Sequence, residues 1–140
     1  MSVLWIEYES RSERVNQYYE IGAAISRITS VDAHEFSRGS SHKEFQEAVE
    51  AVTDISALIR RMLYSSAQDD YTNLDYLVTE GIIDPETGRD MKSANGLRNR
   101  LVHEYDSVND QIAYAALQRL MPRLRRFSEE VLVWLDADRT

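Results

Sequence analysis

Apolar residues recur three or four positions apart along most of this sequence, the spacing of one buried face on an α-helix. One run comprises Val15, Tyr18, Ile21, Ile25, Ile28 and Val31. A second comprises Phe45, Val49, Val52, Ile55, Ile59 and Leu63. Glycine and proline, which interrupt helices, number only five and two. The pattern therefore predicts an all-α fold.

Capping signals divide the pattern into separate helices. A Ser or Thr followed three positions later by an acidic residue predicts helix starts just after Ser10, Ser41, Thr72 and Ser107. We expect the first helix to end near Phe36, the second to pass Leu63, and the third to stop at Gly81, where glycine favours termination. We expect a fourth helix from about Arg89 to Val102, and its inward-facing residues are Met91, Ala94, Leu97 and Leu101.

Three local signals are less regular. The run from Val3 to Tyr8 fits either a strand-like arm or an extra helical turn. Asp84 before Pro85 resembles an N-cap with proline at the first helical position, although Gly88 weakens that interpretation. Pro122 lies inside the last helix, and because proline removes a backbone donor we expect a kink or break near residues 118–122. The sum is one domain, residues 1–140, forming an up-and-down bundle of four to five helices.

Composition limits the classes of protein that this sequence can belong to. At 140 residues with 43% hydrophobic residues, the chain is long enough for one globular core. It has no cysteine, which excludes disulfides and thiolate chemistry. No apolar run reaches the roughly 18 residues that span a bilayer, and the N-terminus has no secretory pattern. We therefore expect a cytoplasmic protein without membrane association.

The charge is acidic overall but uneven. A net charge of −8 argues against a nucleic-acid surface that extends over the whole molecule. Arginines are nevertheless concentrated on the last helix, and two more lie just upstream of it: Arg119, Arg123, Arg125 and Arg126, with Arg98 and Arg100. This cluster is either a solvated helix face or a local basic patch, and the sequence leaves both open.

The stretch from Arg98 to Tyr105 contains the residues best suited to chemistry. His103 is the only histidine in the second half of the chain. On a continuous helix, Arg98 and His103 lie about 140° apart, so they converge only if the helix ends near Val102. A purely structural alternative is that the arginine pairs with an acidic residue, the histidine interacts with the dipole at the helix C-terminus, and the tyrosine packs in the core.

The same stretch resembles a known motif. The HepT-like toxins, within the HEPN superfamily of helical-bundle ribonucleases, have the pattern Arg-x(4–6)-His-x-Tyr. This sequence matches it with Arg98, His103 after four intervening residues, and Tyr105 after one more intervening residue. The order of predicted elements from Leu74 to Tyr114 is also similar. The resemblance thus favours a HEPN-like bundle over a generic helical adaptor, which would leave the motif and the basic cluster unexplained.

The resemblance implies a catalytic role for this stretch. HEPN enzymes are metal-independent endoribonucleases, with no cofactor, in which two protomers line one cleft. By that likeness Arg98 binds the phosphate, His103 acts as general acid or base, and Asn99 orients either group. The basic residues Arg100, Arg119 and Arg123 then become candidates for RNA binding.

The resemblance also implies partners and control. The expected partners are a second copy of the chain, an RNA substrate and a minimal nucleotidyltransferase antitoxin. In HepT-like toxin–antitoxin systems that antitoxin attaches AMP to the motif tyrosine, here Tyr105, whose added charge would repel RNA. The alternative is a non-catalytic HEPN-type bundle that serves only as a dimerisation or docking partner for the nucleotidyltransferase.

Overall fold

Five α-helices make up most of the part of the chain that the computed structural model describes, which comprises residues 3–31, 41–63, 65–103 and 108–139. They are α1 (Val3–Thr29), α2 (Ser41–Met62), α3 (Asp70–Thr79), α4 (Pro85–His103) and α5 (Val108–Arg139). These ranges contain no β-strand. The predicted all-α fold is therefore confirmed.

Helix α2 is central to the bundle, because it contacts each of the other four helices. Its predicted apolar face is buried, from Phe45 at 0% exposure to Ile59 at 0%. Consecutive helices also pack against one another, as expected for an up-and-down bundle. All five contribute to one core, whose largest fully buried side chains include Ile21, Ile55, Leu74, Met91 and Phe127.

Helix α1 differs from the prediction at both ends. It begins at Val3, so the start after Ser10 is wrong and the Val3–Tyr8 run is helical. A Ser and a Glu three residues apart also occur within helices, and no glycine or proline separates Val3 from Ser10. The helix ends at Thr29 rather than near Phe36, which lies outside the described residues.

The buried face of α1 is also shorter than predicted. Ile21, Ile25 and Ile28 are buried, and Tyr18 packs partly buried against the core. Val15, however, is 53% exposed, so its predicted burial is wrong. The helical period identifies which face is apolar, but it does not show how far neighbouring helices extend along that face.

Helix α3 begins earlier than its predicted cap at Thr72. Asp69 is the N-cap, and its Oδ1 accepts a hydrogen bond from the Thr72 backbone N–H at 2.9 Å. This bond lowers the pKa of Asp69 below its ordinary value, because it stabilises the carboxylate. The predicted stop is confirmed at Gly81, whose φ of 73° lies in the left-handed region.

Helix α4 begins at Pro85, four residues before the predicted Arg89. The cap suggested by Asp84 is confirmed, since its Oδ1 accepts from the Thr87 backbone N–H at 2.8 Å. Gly88 does not weaken the helix start. A Cβ at Gly88 would lie 2.6 Å from Cγ2 of Val78, so glycine permits α3 and α4 to approach closely.

Helix α5 passes through Pro122 without interruption, so the predicted break is wrong; a bend without a break stays a prediction. Proline costs one backbone hydrogen bond, but Met121, Leu124 and Phe127 are buried around it and stabilise the helix by packing. None of the helices in the described ranges is long and apolar enough to cross a membrane.

The close contact at Gly88 predicts opposite effects for two glycine substitutions. Gly88→Ala should lower the free energy of unfolding by about 1 kcal/mol or more, because the β-branched Val78 side chain has little freedom to move away. Gly22→Ala is the matched control, since nothing lies within 4 Å of a Cβ there. It should raise the free energy of unfolding by about 0.5–1 kcal/mol. Urea denaturation measures both, and a stabilising Gly88→Ala would contradict the close contact.

Candidate functional site

The last turns of α4 carry the predicted catalytic residues. The helix ends at His103, within one residue of the predicted end near Val102, and the backbone stays helical from Arg98 to His103. Within one chain these two positions therefore lie about 140° apart around the helix axis. Asn99 is exposed between them. Tyr105 and the side chain of His103 lie outside what the structure describes.

Arg98 is anchored to the central helix. Its Nη2 donates to Oε1 of Glu50 on α2 at 3.2 Å, and the Arg98 side chain is only 23% exposed. Its Nε is buried and has no hydrogen-bond partner among the described residues. Because Glu50 and Arg98 are far apart in sequence, no local pattern identified this pair. The contact holds the Arg98 side chain in an orientation that extends from α4 toward α2.

A basic groove lies on a different face of α4. It has a volume of about 620 Å³ and is bordered by α3, α4 and α5, with the lining residues Tyr71, Lys92, Ser93, Gly96, Leu97, Arg100 and Arg119. The structure thus brings together two of the predicted RNA-binding residues, Arg100 and Arg119. Tyr71 and Lys92 were not predicted. A glycine inside the helical pattern of α4 was the available signal, because such a glycine often marks a close approach.

Arg123, the third predicted RNA-binding residue, does not line this groove and pairs with acidic residues of α4. Its Nη1 donates to Glu86 at 3.1 Å, and its Nε lies 3.6 Å from Asp90. The neighbouring Arg126 pairs with Asp84 and with Glu86. These ion pairs join α5 to the first turns of α4, so half of the predicted basic cluster is occupied by acidic partners.

The same network shifts two ionisation equilibria. The hydrogen bond from the Thr87 backbone N–H, together with the smaller effect of the charge of Arg126, holds the pKa of Asp84 below its ordinary value. Asp84 in turn raises the pKa of Arg126. The backbone N–H of Asp84 donates to Oε1 of Glu130 at 2.9 Å. Asp84 therefore remains charged at neutral pH and secures the start of α4.

Metal ligands are not gathered at the described part of the site. Among the residues whose side chains the structure describes, which do not include His103, no group of three or more His, Cys, Asp or Glu residues is placed to bind a metal ion. The candidate site therefore consists of the Arg98–Glu50 pair, the helix end at His103 and the basic groove.

Comparison with known families gives one match that covers most of the chain. The sequence model of the Ribonuclease HepT-like family matches residues 12–131. A protein of Archaeoglobus fulgidus that is named as a proposed RNase is 36% identical over 84 residues, which are 60% of this chain and 64% of that protein. A tRNA nuclease HepT of Aphanizomenon flos-aquae is 35% identical over 75 residues, 51% of this chain and 50% of that one. In both cases the match spans less than two thirds of the relative.

A solved structure has the same fold. The HEPN toxin of Shewanella oneidensis, tri-AMPylated and in complex with an MNT antitoxin, superimposes with a TM-score of 0.64 at 23% identity. The superposition covers 86% of this chain and 96% of that toxin. At this identity the likeness establishes the helical architecture.

Proposed function

The chain belongs to the Ribonuclease HepT-like family, within the HEPN superfamily, and from this premise we propose that it is a metal-independent endoribonuclease that acts as the toxin of a toxin–antitoxin pair. The proposal rests on the motif formed by Arg98 and His103 at the end of α4. This motif lies within residues 12–131, which match the family's sequence model. The names of the relatives support the same reaction class.

The chemistry follows from the residue types. A neutral imidazole at His103 takes the proton from a ribose 2′-hydroxyl, and the 2′-oxygen then bonds to the adjacent phosphorus. The bond from phosphorus to the 5′-oxygen breaks, and a protonated imidazole gives that oxygen its proton. The products are a 2′,3′-cyclic phosphate and a free 5′-hydroxyl. No metal or cofactor takes part in these steps.

Two chains supply the two imidazoles. The motif of one chain contains one histidine, and a symmetric dimer places a second copy of it in the same cleft. The separation of about 140° between positions 98 and 103 on α4 supports this arrangement, because the backbone of one helix directs these two positions to different sides. We therefore propose a homodimer with a composite active site.

Arg98 is the proposed phosphate ligand. A guanidinium stays protonated and donates two parallel hydrogen bonds to a phosphate that gains charge in the transition state. Glu50 accepts from Nη2 in the free protein and so holds the group in one orientation. Asn99 is exposed next to Arg98, and we propose that it orients the phosphate or the imidazole.

The catalytic assignment predicts that His103→Ala and Arg98→Ala each reduce RNA cleavage by about 10²-fold or more and abolish growth inhibition. The helical circular dichroism spectrum should stay unchanged. Cleavage is followed on both tRNA and mRNA, since one relative is named as a tRNA nuclease. Arg89→Ala, an exposed position on the same helix, is the matched control and should retain activity.

RNA cleavage by His103→Ala at the wild-type rate would contradict the catalytic assignment of His103. A wild-type protein that cleaves no RNA but still binds the nucleotidyltransferase would support the alternative, a non-catalytic docking partner. The gene next to this one offers a simpler check, because both interpretations require a small nucleotidyltransferase there.

Control of the toxin is proposed to act through Tyr105. The phenol loses its proton to solvent and its oxygen attacks the α-phosphorus of ATP, so that a bond from that oxygen to phosphorus forms while the bond to the leaving pyrophosphate breaks. The nucleotidyltransferase antitoxin catalyses this transfer, and the attached AMP brings negative charge and bulk next to His103, where it repels RNA phosphate. The tri-AMPylated state of the Shewanella toxin in its antitoxin complex supports this proposal.

Mass spectrometry tests the modification directly. Incubation of the full chain with the nucleotidyltransferase and ATP should add one or more AMP groups to the peptide that contains Tyr105. Tyr105→Phe should remain unmodified because it lacks the accepting oxygen. Tyr19→Phe, which removes a phenol that is 78% exposed, should be modified like the wild type. Modification that persists in Tyr105→Phe would refute the assignment.

A further inference from the structure

We propose that the groove between α3, α4 and α5 binds a segment of single-stranded RNA next to the composite active site, with Tyr71 as the platform on which a base stacks. This inference rests on the proposed ribonuclease function and adds a binding site to it. The site joins an aromatic ring from α3 with cationic side chains from α4 and α5.

The register of α4 connects the groove to His103. Lys92, Gly96 and Arg100 are four residues apart, so they follow one side of the helix. Seven residues separate Gly96 from His103, which is a rotation of about 20° from the same direction and a rise of about 10 Å. The backbone at His103 therefore continues the line of the groove, whereas Arg98 contacts Glu50 of α2 on another side.

The charge in the groove suits a phosphodiester backbone. Arg100 and Arg119 are exposed, and neither forms an ion pair with any acidic residue among the described ranges. Lys92 is paired with Asp75 of α3. Two guanidinium groups that no described acidic residue pairs with create a local positive potential in a chain of net charge −8, and this potential attracts an anionic strand to the groove rather than to the acidic surroundings.

Tyr71 supplies the feature that distinguishes a nucleic acid from a simple anion. The residue is 44% exposed and lines the groove. Its hydroxyl lies 3.2 Å from where a Cβ of Gly96 would be, so the absent side chain lets the tyrosine approach α4 closely. An aromatic ring beside cations is the combination with which proteins bind single strands, because every base has a face that can stack.

An acidic protein surface is the competing occupant. It would pair with Arg100 and Arg119 but would gain nothing particular from an exposed ring. The concave shape and the presence of Tyr71 between helices therefore favour an unpaired nucleotide. The two occupants differ in their response to loss of the ring, and this difference provides the test.

The experiment measures binding separately from cleavage. The probe is a fluorescent single-stranded RNA of about a dozen nucleotides, within the usual site size of such proteins, with 2′-O-methyl riboses that block attack. Fluorescence anisotropy gives its affinity for the intact dimer over a range of salt concentrations. Cleavage of unmodified RNA and binding of the nucleotidyltransferase are measured in parallel for every variant.

Tyr71→Ala should weaken RNA binding roughly tenfold while leaving its salt dependence unchanged, since stacking is lost and phosphate contacts are kept. Tyr71→Phe keeps the ring and should bind like the wild type. Arg100→Gln and Arg119→Gln should each reduce the slope of log K against log salt by about 0.7, the value for one phosphate contact of a single strand.

Matched controls come from the same two helices. Arg89 on α4 and Arg125 on α5 are exposed and without an ion-pair partner among the described residues, but they lie outside the groove. Their substitution by glutamine removes the same charge and should leave the salt slope unchanged. Circular dichroism confirms that each variant keeps its helices.

Wild-type RNA affinity in Tyr71→Ala would overturn the inference, and so would equal losses in the groove and control variants. Loss of nucleotidyltransferase binding with RNA binding intact would identify the groove as a protein-docking surface instead. If the wild type binds the probe through the groove but cleaves no RNA, the proposed function fails while the binding site stands. If it cleaves RNA normally and Tyr71→Ala changes nothing, the groove alone fails.

Discussion

The continuity of α4 from Pro85 to His103 is the constraint on which the candidate site depends. Each residue advances about 100° around a helix, so one uninterrupted helix gives each of its functional residues a fixed direction. Met91, Ala94 and Leu97 face the core, Arg98 reaches α2, and Arg100 lines the basic groove. A break before His103 would release the histidine from this register. Because no such break occurs, positions 98 and 103 of one chain lie about 140° apart around the axis of α4.

Packing and charge at both ends of α4 maintain this arrangement. At its start, Asp84 caps the helix and pairs with Arg126, while Glu86 contacts α5 through two arginines. Gly88 permits the close contact with Val78 of α3. Towards the other end, Leu101 is buried and Arg98 is bound to Glu50. The basic residues of α5 thus divide into those that pair with the start of α4 and those that have no acidic partner among the described residues.

The sequence predicted the helices and most of their buried faces, because the apolar period of a helix is a local property that each segment carries by itself. Helix ends were predicted less well. Asp69 rather than Thr72 caps α3, and α1 passes through the apparent cap at Ser10, since several Ser, Thr and Asp residues fit the same short pattern. The motif that contains Arg98 and His103 could be identified from the sequence alone. Its surroundings were not, because Glu50, Tyr71 and the acidic partners of Arg123 come from distant segments that only the folded chain brings near.

The central claim is that the active site requires the histidines of two chains. Mixed dimers test it most directly. Wild-type protein and His103→Ala are refolded together at a constant total concentration and in varying proportions, and RNA cleavage is measured for each mixture. If both histidines of a dimer are needed, activity follows the square of the wild-type fraction, so an equal mixture retains about one quarter of the activity. A linear decrease, with about one half retained, would contradict the account.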